Sequence, residues 1–148
     1  MKKILLSIIL LAFLASSAWG AGSCVLTSTD MAKPDRKDFV LTCTGDGTIA
    51  AYTLTPAEWG LKGWFLYSVT TDPGTSAPTA DYDITLVVNG EDVAGGLLAD
   101  RSATATETVV ICPTTKGYHV AGDAMAVTFA SNTANPSTIV MTLRYLNN

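Results

Sequence analysis

The sequence predicts an all-β protein: a single antiparallel β-sandwich or jelly-roll-like domain of about eight to nine strands after a cleaved signal peptide. Short β-prone segments recur along the chain with turn residues between them, and no long helical period follows the N-terminal leader. Charged residues make up only 15% of the chain, while threonine, glycine and alanine are abundant. This composition is typical of an extracellular sheet protein whose solvent faces are hydroxylic rather than ionic.

Residues 1–20 have the pattern of a secretory leader. Lys2 and Lys3 precede an apolar run that is too short to span a bilayer, and small residues at Ala18 and Gly20 suit a signal peptidase that cuts after Gly20. The chain is therefore predicted to be exported to the periplasm, the cell surface or the extracellular space.

The predicted mature chain, residues 21–148, has the length of one domain. Removing Lys2 and Lys3 from the nine basic residues leaves seven against thirteen acidic ones, so the formal net charge becomes −6. The basic residues are scattered, which argues against nucleic acid and anionic membrane surfaces as partners, because both require clustered lysine and arginine. No second apolar stretch is long enough for a transmembrane segment.

Four strands are predicted in the first half of the chain. Cys24–Thr29 and Asp38–Thr44 are β-prone runs joined by a segment whose Pro34-Asp35 marks a turn. Thr48–Thr55 partly alternates apolar and polar residues, and Trp64–Thr70 is a more continuous apolar strand.

The second half begins with a predicted hairpin. Asp83–Val88 ends at Asn89-Gly90, a dipeptide that suits a tight turn because both residues tolerate positive φ, and Glu91–Ala94 is the return strand. The remaining strand candidates are Thr106–Cys112, Ala124–Ala130 and Thr138–Leu146.

Two short helical turns are predicted between the strands. Thr55-Pro56-Ala57-Glu58 has the form of a capping box with proline at the first helical position, which predicts one turn between Pro56 and Gly63. Leu97–Arg101 is a second candidate. Neither segment reaches the length of a stable isolated helix.

The final strand candidate is β-prone almost to the C-terminus. Such a strand usually pairs inside its own sheet, and this is the favoured interpretation. The alternative is that it adds to the edge of a neighbour's sheet.

Three cysteines follow the leader: Cys24, Cys43 and Cys112. If the first hairpin folds about Lys33 and Pro34, Cys24 faces Cys43 across the two strands. A disulfide between them is therefore predicted, and it would stabilise the fold by about 3 kcal/mol on the chain-entropy model.

Alternatives stay open for the cysteines. Cys112 is a buried thiol, an intermolecular bridge or the true partner of Cys43. The sequence before Cys24 also partly matches a bacterial lipobox, so acylation of Cys24 is an alternative to the disulfide. No metal site is predicted, because three dispersed cysteines and the distant His119 lack close ligand spacing.

Candidate reaction centres are few, and no cofactor is predicted. His119 has no sequence-adjacent aspartate or serine arranged as a nucleophile elbow, so no catalytic residue is assigned and the chain is predicted not to be an enzyme. Acidic residues around the Asn-Gly turn could act as paired glycosidase carboxylates or as calcium ligands, but their spacing is irregular and solvated turn residues are the favoured interpretation. They are Asp81, Asp83, Glu91 and Asp92.

Three aromatic residues are candidates for ligand binding. Trp59, Trp64 and Tyr67 could form a platform on which sugar rings stack. The favoured interpretation is that they belong to the core, as aromatic residues on the strands of a small sandwich usually do, and the platform is the alternative.

Residues 69–110 contain a specific string of turn and strand residues. It begins V-T-T-D-P-G-T-S-A-P-T-A-D-Y-D-I-T-L, continues with N-G-E-D-V-A-G-G and A-D-R-S, and ends in T-E-T-V-V. The string resembles a group of small, mostly uncharacterised proteins encoded in the structural modules of tailed phages and prophages, over about two thirds of the mature chain. The matching residues, here called the signature residues, are Thr71, Asp72, Pro73, Gly74, Pro78, Thr79, Tyr82, Asp83, Ile84, Thr85, Leu86, Gly90, Asp92, Val93, Gly95, Gly96, Asp100, Arg101 and Ser102.

The resemblance implies a structural role, with the signature residues acting as fold determinants. Tyr82 is expected to be half-buried, and Arg101 is expected to bridge Asp83 or Asp92 across a loop. The chain departs from the pattern at Thr108, where glutamine is usual, and in its cysteines and secretory leader, which a virion component assembled in the cytoplasm does not require.

Two functions of different classes are predicted. The favoured one is an exported, non-enzymatic structural or assembly protein resembling small phage virion-associated proteins, which self-associates or joins a phage or cell-surface assembly through its terminal strand or Cys112. The alternative is a secreted carbohydrate- or surface-binding module, which requires an exposed aromatic strip.

Overall fold

A computed structural model describes residues 22–45, 52–55, 60–111, 118–120, 123–134 and 136–147, and it confirms the predicted all-β class. The leader, Trp59 and Cys112 lie outside the described residues. The described ranges contain no helix, and therefore no helix that could cross a membrane. Their strands are β1 (Ser23–Lys33), β2 (Arg36–Gly45), β3 (Tyr52–Leu54), β4 (Phe65–Pro73), β5 (Asp83–Val88), β6 (Glu91–Asp92), β7 (Glu107–Val110), β8 (Tyr118–His119), β9 (Met125–Ala130) and β10 (Ser137–Leu146).

The strands form two antiparallel sheets. The larger sheet has the order β1-β2-β10-β4-β7, and β8 also pairs with β4. The smaller sheet has the order β3-β9-β5-β6. Buried residues of both sheets meet in one hydrophobic cluster, so the two sheets form a sandwich with a single core.

The last strand shows most clearly how the core is built. Ser137, Ile139, Met141, Leu143 and Tyr145 are buried, and the residues between them are half-buried. This alternation follows from the two-residue period of a strand with one face on a core. The ring of Tyr145 packs edge to face against Phe39 of β2, with ring centroids 5.7 Å apart.

The last strand lies in the middle of the larger sheet. β10 pairs with β2 along one edge and with β4 along the other. Pairing inside its own sheet is therefore the arrangement found. Because both edges of β10 are hydrogen-bonded within the molecule, this strand is not free to extend the sheet of a neighbour.

The first hairpin places the two cysteines opposite each other, as predicted. Cys24 pairs with Cys43, and a disulfide with an S–S distance of 2.01 Å joins them. The turn lies one residue later than predicted, because Lys33 pairs with Arg36 around Pro34-Asp35. Irregularities between Leu26 and Ser28 and between Asp30 and Lys33 shift the register on β1, which brings Cys24 back into line with Cys43.

The predicted Asn-Gly turn is confirmed, and the predicted helical turn at Leu97–Arg101 is wrong. Asn89 and Gly90 connect β5 to β6 with φ of 51° and 87°, as the Asn-Gly dipeptide predicts. The segment Leu97–Arg101 is not helical: it forms turns, and Asp100 has a φ of 53° that ends any helical path. Of the helical turn predicted between Pro56 and Gly63, only residues 60–63 are described, and they are not helical.

Candidate functional site

The carboxylate of Asp92 organises the loop after the Asn-Gly turn. Its Oδ1 accepts hydrogen bonds from the backbone amides of Leu86 and Ala94, at 3.2 and 3.1 Å, and its Oδ2 accepts one from Gly96 at 2.8 Å. Gly95 and Gly96 have φ of 58° and 76°, a conformation that glycine adopts without strain. The three contacts explain why an aspartate and two glycines occur together in the signature.

Asp83 performs a similar task at the start of β5. Its Oδ1 accepts a hydrogen bond from the backbone amide of Asp100 at 3.0 Å, and its Oδ2 accepts one from the Ser131 hydroxyl at 2.8 Å. These bonds favour the ionised carboxylate and hold the pKa of Asp83 below its ordinary value. Asp83 thus connects three loops at one end of the sandwich.

Arg101 connects the loop beside β5 to the larger sheet. Its backbone bridges Tyr82, and its side chain is buried, with only 7% exposed. The guanidinium Nη2 lies 2.6 Å from Oε2 of Glu107 at the start of β7. The same oxygen accepts a hydrogen bond from the backbone amide of Ser102 at 2.8 Å. One ion pair therefore fixes the loop and holds it to the start of β7 in the larger sheet.

The expectation that Arg101 bridges Asp83 or Asp92 is wrong. Both carboxylates accept hydrogen bonds from backbone amides, whereas the Arg101 side chain turns inward to Glu107. Glu107 lies in the T-E part of the string, six residues after Arg101, and the bends at residues 103–105 bring it back to the Arg101 guanidinium.

Tyr82 packs beside this ion pair. It is fully buried rather than half-buried, and burial raises the pKa of its phenol. Among the described residues its hydroxyl makes no hydrogen bond of normal geometry, although the Thr71 side chain is nearby. The ring is therefore used for packing in the core.

The Pro-Thr part of the string is bound to a second loop. The amide of Thr79 donates to Oδ1 of Asn132 at 3.0 Å, and the amide of Thr133 donates to the hydroxyl of Thr79 at 2.9 Å. Asn132 is buried and its Nδ2 donates to the Ser137 hydroxyl at 2.7 Å, at the start of β10. The loop between β4 and β5 and the loop between β9 and β10 are thereby held together.

Gly74 makes a close approach to the last strand. Its amide donates to the carbonyl of Thr138 at 2.8 Å, and a Cβ atom at this position would lie 2.7 Å from Cγ2 of Thr138. No side chain fits there without displacing β10, which explains the glycine of the T-D-P-G turn.

The three aromatic candidates do not form one exposed strip in the described part of the chain. Trp64 is only 9% exposed and belongs to the core, with the Lys37 ammonium 4.5 Å from its ring centroid. Tyr67 is 38% exposed, and Trp59 lies outside the described residues. Ligand binding by these residues stays a prediction.

Two further candidates, His119 and Cys112, lie in the sequence between β7 and β9. His119 pairs with Phe65 through β8. Cys112 lies outside the described residues, so its role as an intermolecular bridge stays a prediction.

Sequence reasoning did not find the charged cluster on the outer face of the larger sheet. Asp38 of β2 is buried on this face beneath two arginines. Nε and Nη2 of Arg144 donate to its two oxygens at 2.9 and 3.0 Å, and Nε of Arg36 donates to Oδ2 at 3.1 Å. The signal in the sequence was the spacing of Arg36 and Asp38, which places both on one face of a strand, but Arg144 joins them only through the register of β10.

The arginines determine how Asp38 titrates. Burial alone would raise the pKa of Asp38, but the hydrogen bonds from Arg144 and Arg36 outweigh it and hold the pKa below the ordinary value. Unfolded Asp38 therefore binds its proton at a higher pH than folded Asp38 does. Its contribution to stability is present above the unfolded pKa and is lost as the pH falls through the folded one.

We expect Asp38→Asn to flatten the acid limb of the stability curve. At neutral pH the variant should be less stable than the parent, because a neutral amide pairs more weakly with two guanidinium groups. As the pH falls from about 5 to about 2, the two free energies of unfolding should converge. Urea unfolding at a series of pH values measures this, and parallel curves would contradict it.

Comparison with known proteins gives no family assignment. No family model matches the chain, and no curated protein matches it. A chain in the solved structure titled "Cyanophage Pam1 capsid asymmetric unit" is similar, with 14% sequence identity and a TM-score of 0.49, over 84% of this chain and 94% of that chain. At this identity and score, the similarity supports no conclusion about function.

Proposed function

We propose that this chain is an exported, non-enzymatic structural protein that acts as a building block of an assembly, similar to small phage virion-associated proteins. The observation that carries the proposal is the internal use of the signature residues. Asp83, Asp92 and Arg101 all bind groups of the chain itself, and Gly74 is required by a close backbone contact. A string that builds a scaffold, rather than a pocket, suits a protein selected for its shape.

The absence of an enzymatic role is part of the same proposal. A catalytic carboxylate needs access to substrate, and a pair of them must face a common space. Here Asp83 and Asp92 accept hydrogen bonds from backbone amides of their own loops. Glu107 is paired with Arg101. These carboxylates are better suited to holding turns than to moving protons.

Export is proposed from the leader and is supported by the disulfide. Cystine is stable in oxidising compartments and rare in the cytoplasm, so the Cys24–Cys43 bond is compatible with a periplasmic or extracellular protein. The structure leaves assembly through the terminal strand without support, because β10 is internal to the larger sheet. Self-association would therefore use another surface.

The experiment is to express the full chain with its leader and to recover the exported protein. Its mass should show loss of residues 1–20 and one internal disulfide. Light scattering and native mass spectrometry at up to about 100 μM should then find a defined multimer. A strictly monomeric protein over this range would overturn the structural proposal. Oligosaccharide binding by that monomer, lost in Tyr67→Ala, would favour a carbohydrate-binding module instead.

A further inference from the structure

The turn between β5 and β6 contains the one asparagine of the sequence that is followed by glycine. Asn89 and Gly90 are both exposed, and no atom lies within 4 Å of the position that a Cβ atom on Gly90 would occupy. A backbone nitrogen can attack the side-chain amide carbon of a preceding asparagine and form a cyclic imide. Glycine hinders this attack least, because it has no side chain. Asn89 is therefore the asparagine of this sequence best suited to the reaction.

The native turn holds the reacting atoms apart. The φ values of Asn89 and Gly90, 51° and 87°, are those of a type I′ turn, in which ψ of the first central residue is about +30°. At this ψ the Gly90 nitrogen lies on the opposite side of the Asn89 Cα–C bond from Cβ. The imide ring needs the nitrogen and Cγ to approach within about 3.5 Å, so ψ must first rotate and the turn must open.

A hydrogen bond also fixes the side chain that would react. Nδ2 of Asn89 donates to Oδ2 of Asp123 at 3.1 Å, and Asp123 lies just before β9. The bond joins the turn to a segment 34 residues further along the chain. Both this bond and the turn must be broken before Cγ of Asn89 can meet the Gly90 nitrogen.

We propose that Asn89 is a modification site whose reaction is controlled by the opening of the hairpin. In each opening the Gly90 nitrogen can attack Cγ of Asn89. A bond forms between these atoms and the bond from Cγ to Nδ2 breaks, so the side-chain nitrogen leaves as ammonia with the proton of the Gly90 amide. Water then opens the imide at either carbonyl group and produces aspartate or isoaspartate.

The products prevent the hairpin from closing as before. Isoaspartate carries the main chain through its side-chain carbon, and this longer path does not fit a two-residue turn between Val88 and Glu91. Aspartate keeps the original path but places a carboxylate beside that of Asp123, where the amide donated a hydrogen bond. Because Asp92 lies on β6, loss of the hairpin also loosens the loop that its carboxylate organises.

The rate of modification at residue 89 tests the proposal. The purified protein is incubated at mildly alkaline pH, native and in denaturant, and peptide mapping at intervals measures the conversion of each asparagine. Residue 89 should convert at least about tenfold more slowly in the native state, because only the open fraction reacts. Asn132 should stay unmodified in the native state, since it is buried and its Nδ2 donates to Ser137. Equal rates at residue 89 in the two states, or no conversion there in denaturant, would overturn the proposal.

Two variants separate the Asp123 hydrogen bond from a general effect of charge. Asp123→Ala should raise the native rate at residue 89 about threefold and leave the rate in denaturant unchanged. Asp72→Ala is the matched control, because it removes an exposed carboxylate of β4 outside the hairpin, and it should react as the parent does. The same native rate in both variants would contradict a protective role of Asp123.

The stability of the modified protein tests the effect on the hairpin. Ion-exchange chromatography separates modified from unmodified protein, because the reaction adds a negative charge. The isoaspartate form should unfold at a lower urea concentration than the unmodified protein, and Asn89→Asp should lie between them, since it keeps the length of the turn. An isoaspartate form as stable as the unmodified protein would show that the hairpin still closes, and the inferred loss of the turn would be wrong.

Discussion

Glu107→Ala is expected to lower the free energy of unfolding by about 3 kcal/mol, because it leaves the buried Arg101 guanidinium without its charged partner. Arg101 Nη2 lies 2.6 Å from Oε2 of Glu107, and the Arg101 side chain is 7% exposed. Its other side-chain hydrogen bond, from Nε to the hydroxyl of Thr71, is long at 3.4 Å. Denaturant unfolding monitored by circular dichroism measures the loss.

The reciprocal variant provides the control. Arg101→Met should cost less than Glu107→Ala, because the Glu107 side chain is 36% exposed and water can solvate its carboxylate. The double variant should be more stable than Glu107→Ala alone, since no buried charge remains unpaired. If the two single variants lose equal free energies of unfolding, and these losses add in the double variant, the ion pair is not what holds the loop to the larger sheet.

Removal of the disulfide is expected to have an effect of similar size. Cys24→Ala/Cys43→Ala should lose about 3 kcal/mol, because the bond closes a loop of 19 residues that the unfolded chain otherwise explores freely. The corresponding fall in melting temperature is about 10 °C. Alanine is preferred to serine because both positions are buried, where an unpaired hydroxyl would add its own cost.

Two measurements separate the disulfide from the packing of its sulfur atoms. The free energy of unfolding of the parent should fall on addition of reductant by as much as it differs between the oxidised parent and the double variant. Native parent should react slowly with reductant, since Cys43 is fully buried and Cys24 is 5% exposed. A double variant as stable as the oxidised parent would show that the hairpin alone holds β1 in place.

The features that the sequence predicted well are those with a local cause. A strand beside a core needs an apolar residue at every second position, and this pattern is visible in Thr138–Leu146 without any partner. The Asn89-Gly90 turn follows from two residues that accept positive φ. The pairing of Cys24 with Cys43 was predicted from a turn placed one residue too early, and irregularities in β1 compensate for that difference.

The features that the sequence did not predict depend on contacts between distant segments. Asp38 and Arg144 are 106 residues apart, and they meet because β10 inserts between β2 and β4. Arg101 was also assigned to the wrong carboxylates, here for a local reason: Glu107 is only six residues further along the chain, and the bends at residues 103–105 return it to the Arg101 guanidinium. For Trp64 the sequence favoured the core and kept ligand binding as an alternative, and the fold places the ring in the core with the Lys37 ammonium over it.

The sequence by itself determined the all-β class, the alternation of the strands, the Asn-Gly hairpin and the first disulfide, since period and turn chemistry act over a few residues. Only the tertiary structure decided the order of the strands in each sheet and the partners of the charged residues. Strand order depends on which apolar faces bury one another best, and charged side chains then pair with whatever groups that order brings within reach.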